Sequence, residues 1–228
     1  MPNHPLSWSE EDVPFSERFA DHFYSAADGR AETAYVFLQG NDLPARWSEG
    51  GAFTIGELGF GTGLNFLETW RQWVGARQPE GQLTFVSFEG YPLTSDEMAT
   101  ALARWPDLHT LAEPLLVHWT ALESGLNTWQ MDAQTQLTVV QAEVLDGMAA
   151  WNGKADAWYL DGFAPARNPD MWSEDLMQAV ADHARPGASF ASYTSAGWVR
   201  RNLEAAGFEV ERVPGFGRKR HMIRGSKR

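Results

Sequence analysis

The pattern of apolar and polar positions changes character near residue 52. Before that point the chain is polar and mixed. Residues 33–38 (TAYVFL) read there as a strand or hairpin arm, and Gly40-Asn41-Asp42 reads as a turn. Beyond it, short apolar runs alternate with helical spacings. AFTIGELGF (52–60) predicts a buried strand, and Leu64, Leu67, Trp70, Arg71 and Val74 then recur at helical intervals, all apolar except Arg71. LTFVSFE (83–89) predicts a second strand, and residues 94–105 a helix stopped by Pro106. LLVHW (115–119) and LTVVQAE (137–143) predict further strands, with a loop or helix between them. ADAWYLDGF (155–163) reads as the next buried strand, followed by a helix over 172–184 that Pro186-Gly187 ends. ASFASYT (188–194) is a strand, residues 195–206 a helix capped by Gly207, and FEVERV with RKRHMIR a closing antiparallel hairpin.

Strand–helix alternation of this kind predicts an α/β fold. Its sheet is expected to be doubly wound and mostly parallel, covered on both faces, with an antiparallel C-terminal strand. The change of pattern sets residues 1–52 as an N-terminal extension packed on a catalytic domain over 53–228. In such sheets ligands sit beyond the carboxyl ends of the strands, where the strand order reverses.

Composition narrows the chemistry. The 228 residues include no cysteine, which excludes disulfides and thiolate zinc sites, and the 6 histidines show no metal-ligand spacing, so no metal is expected. No apolar run is long enough to span a bilayer and the acidic N-terminus has no apolar signal region, so a cytoplasmic protein without membrane contact is expected. P-loop and Ser-His-Asp patterns are missing. The net charge of −12 argues against a polyanionic partner until its distribution is considered. Of 18 Lys and Arg, 9 lie in residues 200–228, beside only 3 acids. Local patches decide phosphate binding more than the sum does.

The most specific local signal is Glu57-Leu58-Gly59-Phe60-Gly61-Thr62-Gly63-Leu64-Asn65, between a predicted strand and a predicted helix. The spacing is G-x-G-x-G, where a dinucleotide site wants G-x-G-x-x-G. Glu57 is poorly placed for pyrophosphate and well placed for the ammonium of a methionine-like tail, while the helix start suits that tail's carboxylate. Glu57, Gly59, Phe60, Gly61, Gly63 and Asn65 are therefore candidate binding residues for S-adenosylmethionine. Glu89 closes the next strand, where a carboxylate accepts ribose hydroxyls, and Glu143 closes another, within range of an adenine amino group. Alone, each is an ordinary strand-end acid.

Asp161-Gly162-Phe163-Ala164-Pro165 follows the strand AWYL and forms a stiff loop at the cofactor edge. Methyl transfer to an amine needs a neutral nitrogen, and an alkyl amine has a pKa near that of lysine, about 10.4. Asp161, bordering both cofactor and acceptor, can accept the amine's hydrogen bonds and take or relay its proton. Phe163 can lie against a sulfonium or ammonium, with Pro165 and Arg167 facing substrate. Arg218, Lys219 and Arg220, with Phe216 nearby, combine charge and an aromatic as RNA contact requires. Trp47 and Trp172 flank these loops, but core packing is the better reading of both.

ELGFGTGLNFL, WYLDGFAPARNPDMW, TSAGWVRRNLEAAGF and GFGRKRHM, in that order, closely resemble the methyltransferase domain of the MnmC family and its stand-alone MnmD-type form. The likeness runs from about residue 12 to residue 223. It implies a class I, Rossmann-like S-adenosylmethionine-dependent methyltransferase in tRNA processing and modification. The implied reaction methylates the amine of 5-aminomethyl-2-thiouridine at the tRNA wobble position. It also implies that the glycine turn and Glu89 hold the cofactor, that Asp161 meets the acceptor amine and that the Arg218–Arg220 segment lies toward the tRNA. Bifunctional members add an FAD-dependent oxidase. This sequence has no second dinucleotide turn, so no FAD is expected in it, and an oxidase domain or protein is an expected pathway partner. Two other readings remain open at this stage: a methyltransferase acting on a small-molecule or protein amine, and a non-catalytic RNA-binding scaffold.

Overall fold

The computed structural model describes residues 6–9 and 13–228. Strands β1 (Leu6–Trp8), β2 (Pro14–Ser16) and β3 (Asp21–His22) form a small antiparallel sheet. Helix α1 (Gly29–Thr33) follows, with the Asp28 side chain accepting the Ala31 N–H as its N-cap. It continues into a π-helical turn over Ala34–Leu38 and 3-10 turns over Gln39–Asn41 and Ala45–Glu49. The expected strand over 33–38 is therefore helical. Its branched and aromatic residues suggested a strand, but Val36, Phe37 and Leu38 are all buried where the backbone turns beneath the main sheet.

The alternating unit follows as β4 (Ala52–Leu58), α2 (Leu64–Ala76), β5 (Gln82–Glu89), α3 (Ser95–Leu102), α4 (His109–Trp119), β6 (Gly125–Asp132), β7 (Thr135–Gln141), α5 (Val144–Ala150), β8 (Ala155–Leu160), α6 (Glu174–Asp182), β9 (Ala184–Ser192), α7 (Gly197–Ala205), β10 (Phe208–Pro214) and β11 (His221–Lys227). Eight strands make one sheet in the order β10-β11-β9-β8-β4-β5-β7-β6. β4, β5, β7, β8 and β9 run parallel, while β6 and β11 pair antiparallel with their neighbours. This is the doubly wound, mostly parallel sheet with an antiparallel C-terminal strand that the pattern predicts. The chain leaves β4 toward β5 and β7, then returns to β8 on the other side, so the order reverses at β4 and β8.

Successive strand residues face opposite sides. On β8, Ala157 and Tyr159 join the core beneath α2 and α4, whereas Trp158 and Leu160 join the core beneath α6 and α7. The first of these cores also takes in Val13, Tyr24, Phe37, Leu43 and Trp47.

Three further readings are corrected. LLVHW lies in helix α4, not a strand. Leu108, Ala112, Leu115 and Trp119 are all buried at spacings of a helical stripe, which the five-residue window and the neighbouring Pro114 concealed. The stretch left as loop or helix contains the edge strand β6, whose half-buried alternation is too weak to read. The helix expected over 172–184 is shorter, because Pro186 and Gly187 fall inside β9 and not at a helix end. Among the described residues no helix is long and apolar enough to cross a membrane.

Trp47 is fully buried, with its ring edge-on to Trp73 of α2 at 5.3 Å. Trp172 is also buried, so the core reading of both residues holds. Trp47→Ala should lower unfolding free energy by about 3–5 kcal/mol, measured by denaturant titration.

Candidate active site

A cavity of about 480 Å³ opens beyond the carboxyl ends of β4, β5 and β8, at the reversal of strand order. Two backbone bends meet there. Gly59, Gly61 and Gly63 all have left-handed φ, at 84°, 54° and 79°. A β-carbon added at Gly59 would lie 3.5 Å from the Cα of Gly162, so the turn after β4 packs directly on the turn after β8.

Asn65, in the first turn of α2, joins these bends. Its Nδ2 donates to Glu57 Oε1 at 3.0 Å and to Asp161 Oδ2 at 2.8 Å, while Thr33 donates to its Oδ1 at 2.7 Å. Glu57 is fully buried, with the Ser87 hydroxyl 2.6 Å from its second oxygen. Burial drives its pKa well up, against the hydrogen bonds from Ser87 and Asn65. Asp161 accepts the Gly162 N–H at 2.8 Å on its other oxygen. Burial raises its pKa to about 7, opposed by the Gly162 and Asn65 bonds and reinforced by the charge of Glu32.

Glu89 receives the N–H of Gly61 at 3.0 Å on one oxygen and that of Tyr91 at 2.7 Å on the other. Burial raises its pKa despite these bonds. A carboxylate offers about four lone-pair positions, so Glu89 can still accept from ligand hydroxyls. Glu143 accepts the Tyr91 hydroxyl at 3.0 Å, and Arg18 donates to that hydroxyl at 2.9 Å with its guanidinium 4.1 Å from the ring centre.

The acceptor end is aromatic. Phe163 stacks on Phe19 at 4.6 Å and meets Phe23 edge-on at 5.2 Å. Trp172 Nε1 holds the Phe163 carbonyl at 3.0 Å, and Asp21 accepts the Ala164 N–H at 2.8 Å. Tyr193 donates to the Gly162 carbonyl at 2.8 Å.

A family model for S-adenosyl-L-methionine-dependent methyltransferases matches residues 106–228, more than half of the chain. The chain belongs to this family. The methyltransferase is 48% identical over 227 residues to the "tRNA 5-methylaminomethyl-2-thiouridine biosynthesis bifunctional protein MnmC" of Caulobacter sp., covering 96% of this chain and 37% of that protein. The protein of the same description from Chromohalobacter salexigens is 44% identical over 226 residues, with 96% and 32% covered. The resemblance read in the sequence thus extends along nearly the whole chain, which spans about a third of these relatives. The crystal structure of MNMC2 from Aquifex aeolicus superposes with a TM-score of 0.78 at 20% identity, covering 99% of this chain and 71% of that one. At that identity the likeness shows the fold.

Of the methyltransferase residues singled out by sequence, Gly59, Phe60, Gly61, Asn65, Glu89, Glu143, Asp161, Phe163 and Lys219 line the cavity. Glu57 does not. It lies behind Asn65 and reaches the cavity only through that amide. Gly63 is also off the lining. It starts α2, and a β-carbon there would crowd Phe60 at 3.0 Å and Leu115 at 3.1 Å. Pro165, Arg167, Arg218 and Arg220 lie outside the cavity wall, Pro165 buried and the three arginines exposed. The sequence reading missed Phe19, Asp21, Phe23, Glu32, Tyr91 and Tyr193. Its one available signal was the Phe19/Phe23 spacing within SERFADHF. Among the described residues no group of His, Cys, Asp or Glu could hold a metal ion.

The donor set suits S-adenosylmethionine. Carboxylates at Glu89, Glu143 and Asp161 line the cavity and could accept from hydroxyl, amino and ammonium groups, and Gly59 and Gly61 add no side chains to it. Gly61→Ala would strain a left-handed backbone by about 1–2 kcal/mol and bring a β-carbon to 3.2 Å from Phe23. Cofactor affinity measured by calorimetry should fall about tenfold, with the fold retained.

Proposed function

We propose that this methyltransferase methylates the amine of 5-aminomethyl-2-thiouridine at the tRNA wobble position. Asp161 is the proton-handling residue in this reading. The observation that carries it is the contact between the Gly59 and Gly162 bends, which sets the proposed cofactor turn and the Asp161 carboxyl against one cavity. The tRNA-modifying description of the relatives, the aromatic walls and the basic Arg218–Arg220 segment support the acceptor.

When bound, S-adenosylmethionine supplies an electrophilic methyl carbon on sulfur. The chain's residues then have three tasks. Glu89, with Glu143 beyond it, orients the nucleoside end. Asn65 holds Asp161 at the junction of the two bends. Asp161 accepts a proton from the ammonium so that a lone pair is free. Its upward shift from 3.8 to about 7 makes it a better proton acceptor than an ordinary carboxylate by ~4 kcal/mol. Phe19, Phe23 and Phe163 exclude water and offer ring faces to the base and to positive charge.

The direct test is transfer of labelled methyl from S-adenosylmethionine to tRNA bearing 5-aminomethyl-2-thiouridine. Label should enter that tRNA and not tRNA lacking the aminomethyl group. Labelling of small amines but never of tRNA would reject the acceptor. Because Asp161 must be ionised to accept a proton, kcat/KM should rise with pH up to about 7 and fall tenfold per unit below it. Asp161→Asn should lower kcat about 10²-fold or more and remove that limb, with cofactor affinity little changed. Losing Arg218 and Arg220 together should weaken tRNA binding and flatten its log–log salt dependence by about 2. An unchanged slope would take the segment out of the RNA path.

A further inference from the structure

The acceptor end of the cavity contains a charge pair that the proton transfer above does not use. Lys219, on the loop between β10 and β11, turns its ammonium inward to Glu32 Oε1 at 2.8 Å. The same nitrogen lies 4.0 Å from the centre of the Tyr193 ring. Glu32 is buried, and its other oxygen accepts the Ser25 N–H at 3.2 Å. Tyr193 is fixed by its hydroxyl bond to Gly162. Glu32, Tyr193 and Lys219 line the same cavity as Asp161.

A carboxylate combined with an aromatic face is the combination that recognises an alkyl ammonium. Here it holds one supplied by the protein. Lys219 differs from the other two members of this pocket in being poorly anchored. Its side chain is 44% exposed, whereas that of Glu32 is 11% exposed. Its loop is flanked by Gly215 and Gly217, and its neighbours Arg218 and Arg220 point to solvent, where phosphates would meet them. A primary ammonium on a short methylene stem has the chemistry of the lysine head and, at neutral pH, the same charge.

We infer that Glu32 and Tyr193 form a binding subsite for the acceptor's ammonium, which Lys219 fills until the acceptor displaces it. This rests on the acceptor being an alkyl amine, as proposed above. The subsite captures the protonated form, which predominates in solution, next to the residue that removes the proton. Displacement of Lys219 leaves Glu32 charged and unpaired unless an ammonium replaces it, so a neutral substituent at the same position is rejected. Outward movement of Lys219 also adds a third cation to the Arg218–Arg220 surface when RNA is present.

The test uses 5-aminomethyluridine and its neutral counterpart 5-hydroxymethyluridine as probes. They are titrated calorimetrically into the full chain loaded with S-adenosylhomocysteine. Wild type, Glu32→Gln, Lys219→Met and the double variant are compared. Gln keeps an oxygen for the Ser25 N–H, and unchanged melting temperatures check the fold. Wild type should prefer the amine by about tenfold, Lys219→Met should tighten amine binding by about threefold, and Glu32→Gln should cut the preference by about fivefold in both backgrounds, the remainder being due to Asp161. The inference is overturned if wild type shows no preference. It is also overturned if the Glu32→Gln effect vanishes once Lys219 is gone, since Glu32 would then serve only to hold Lys219. Weaker amine binding in Lys219→Met overturns it too, because Lys219 would then belong to the ligand site. The tRNA reading fails separately. A protein with this Glu32-dependent preference that never labels tRNA keeps the subsite and loses the tRNA acceptor. One that labels tRNA without the preference keeps the acceptor and loses the subsite.

Discussion

One amide nitrogen holds the active site together. Asn65 Nδ2 donates to Glu57 on the strand before the glycine turn and to Asp161 in the bend just after β8. Two buried carboxyl groups would repel if both were ionised. The shared donor offsets part of that repulsion, and burial raises the pKa of both groups, that of Glu57 well up and that of Asp161 to about 7. An apolar residue at position 65 would leave both acids without that partner. The glycine turn and the Asp161 loop are therefore tied by this polar contact as well as by the packing of Gly59 on Gly162.

The acidic body of the protein fits the same logic. Much of its negative charge is exposed, but a minority is turned inward around the cavity. There Glu32, Glu89, Glu143 and Asp161 line the cavity and suit a ligand pair rich in hydrogen-bond donors and positive charge. The cations are concentrated on the final strands and the loop between them, close to the acceptor end. Charge is thus segregated, with carboxylates lining the cavity and most of these cations on the surface outside it.

The parallel sheet, the glycine turn and the Asp161 loop were legible because each is local. Alternating apolar runs, G-x-G-x-G and an acid at a strand end all lie within windows of ten residues. What was not legible depends on distant contacts. Glu57 looked like a ligand residue because adjacency to the turn cannot reveal which way a strand residue faces, and it faces the core. Helix α4 was hidden because Pro114 suggested a break, while its buried stripe starts at Leu108 and ends at Trp119. Lys219 looked like its exposed neighbours in RKR, and only the fold shows it folded back on Glu32, 187 positions away. Apart from the Phe19/Phe23 spacing, residues 13–49 carry no pattern that marks Asp21 or Glu32, because these residues reach the cavity only by lying across the open end of a sheet formed later in the chain.

Helices α1 and α2 are joined at two levels. Thr33 meets Asn65 in the site, and one turn further along Arg30 donates to the buried Glu68 at 2.8 Å. α1 carries Glu32, which lines the cavity, while α2 begins at the glycine turn. The two sides of the cavity are consequently tied to a single helix pair. Both contacts tie positions more than 30 residues apart in the chain, so a shift along that seam would move Glu32 and Asn65, both of which line the cavity, together.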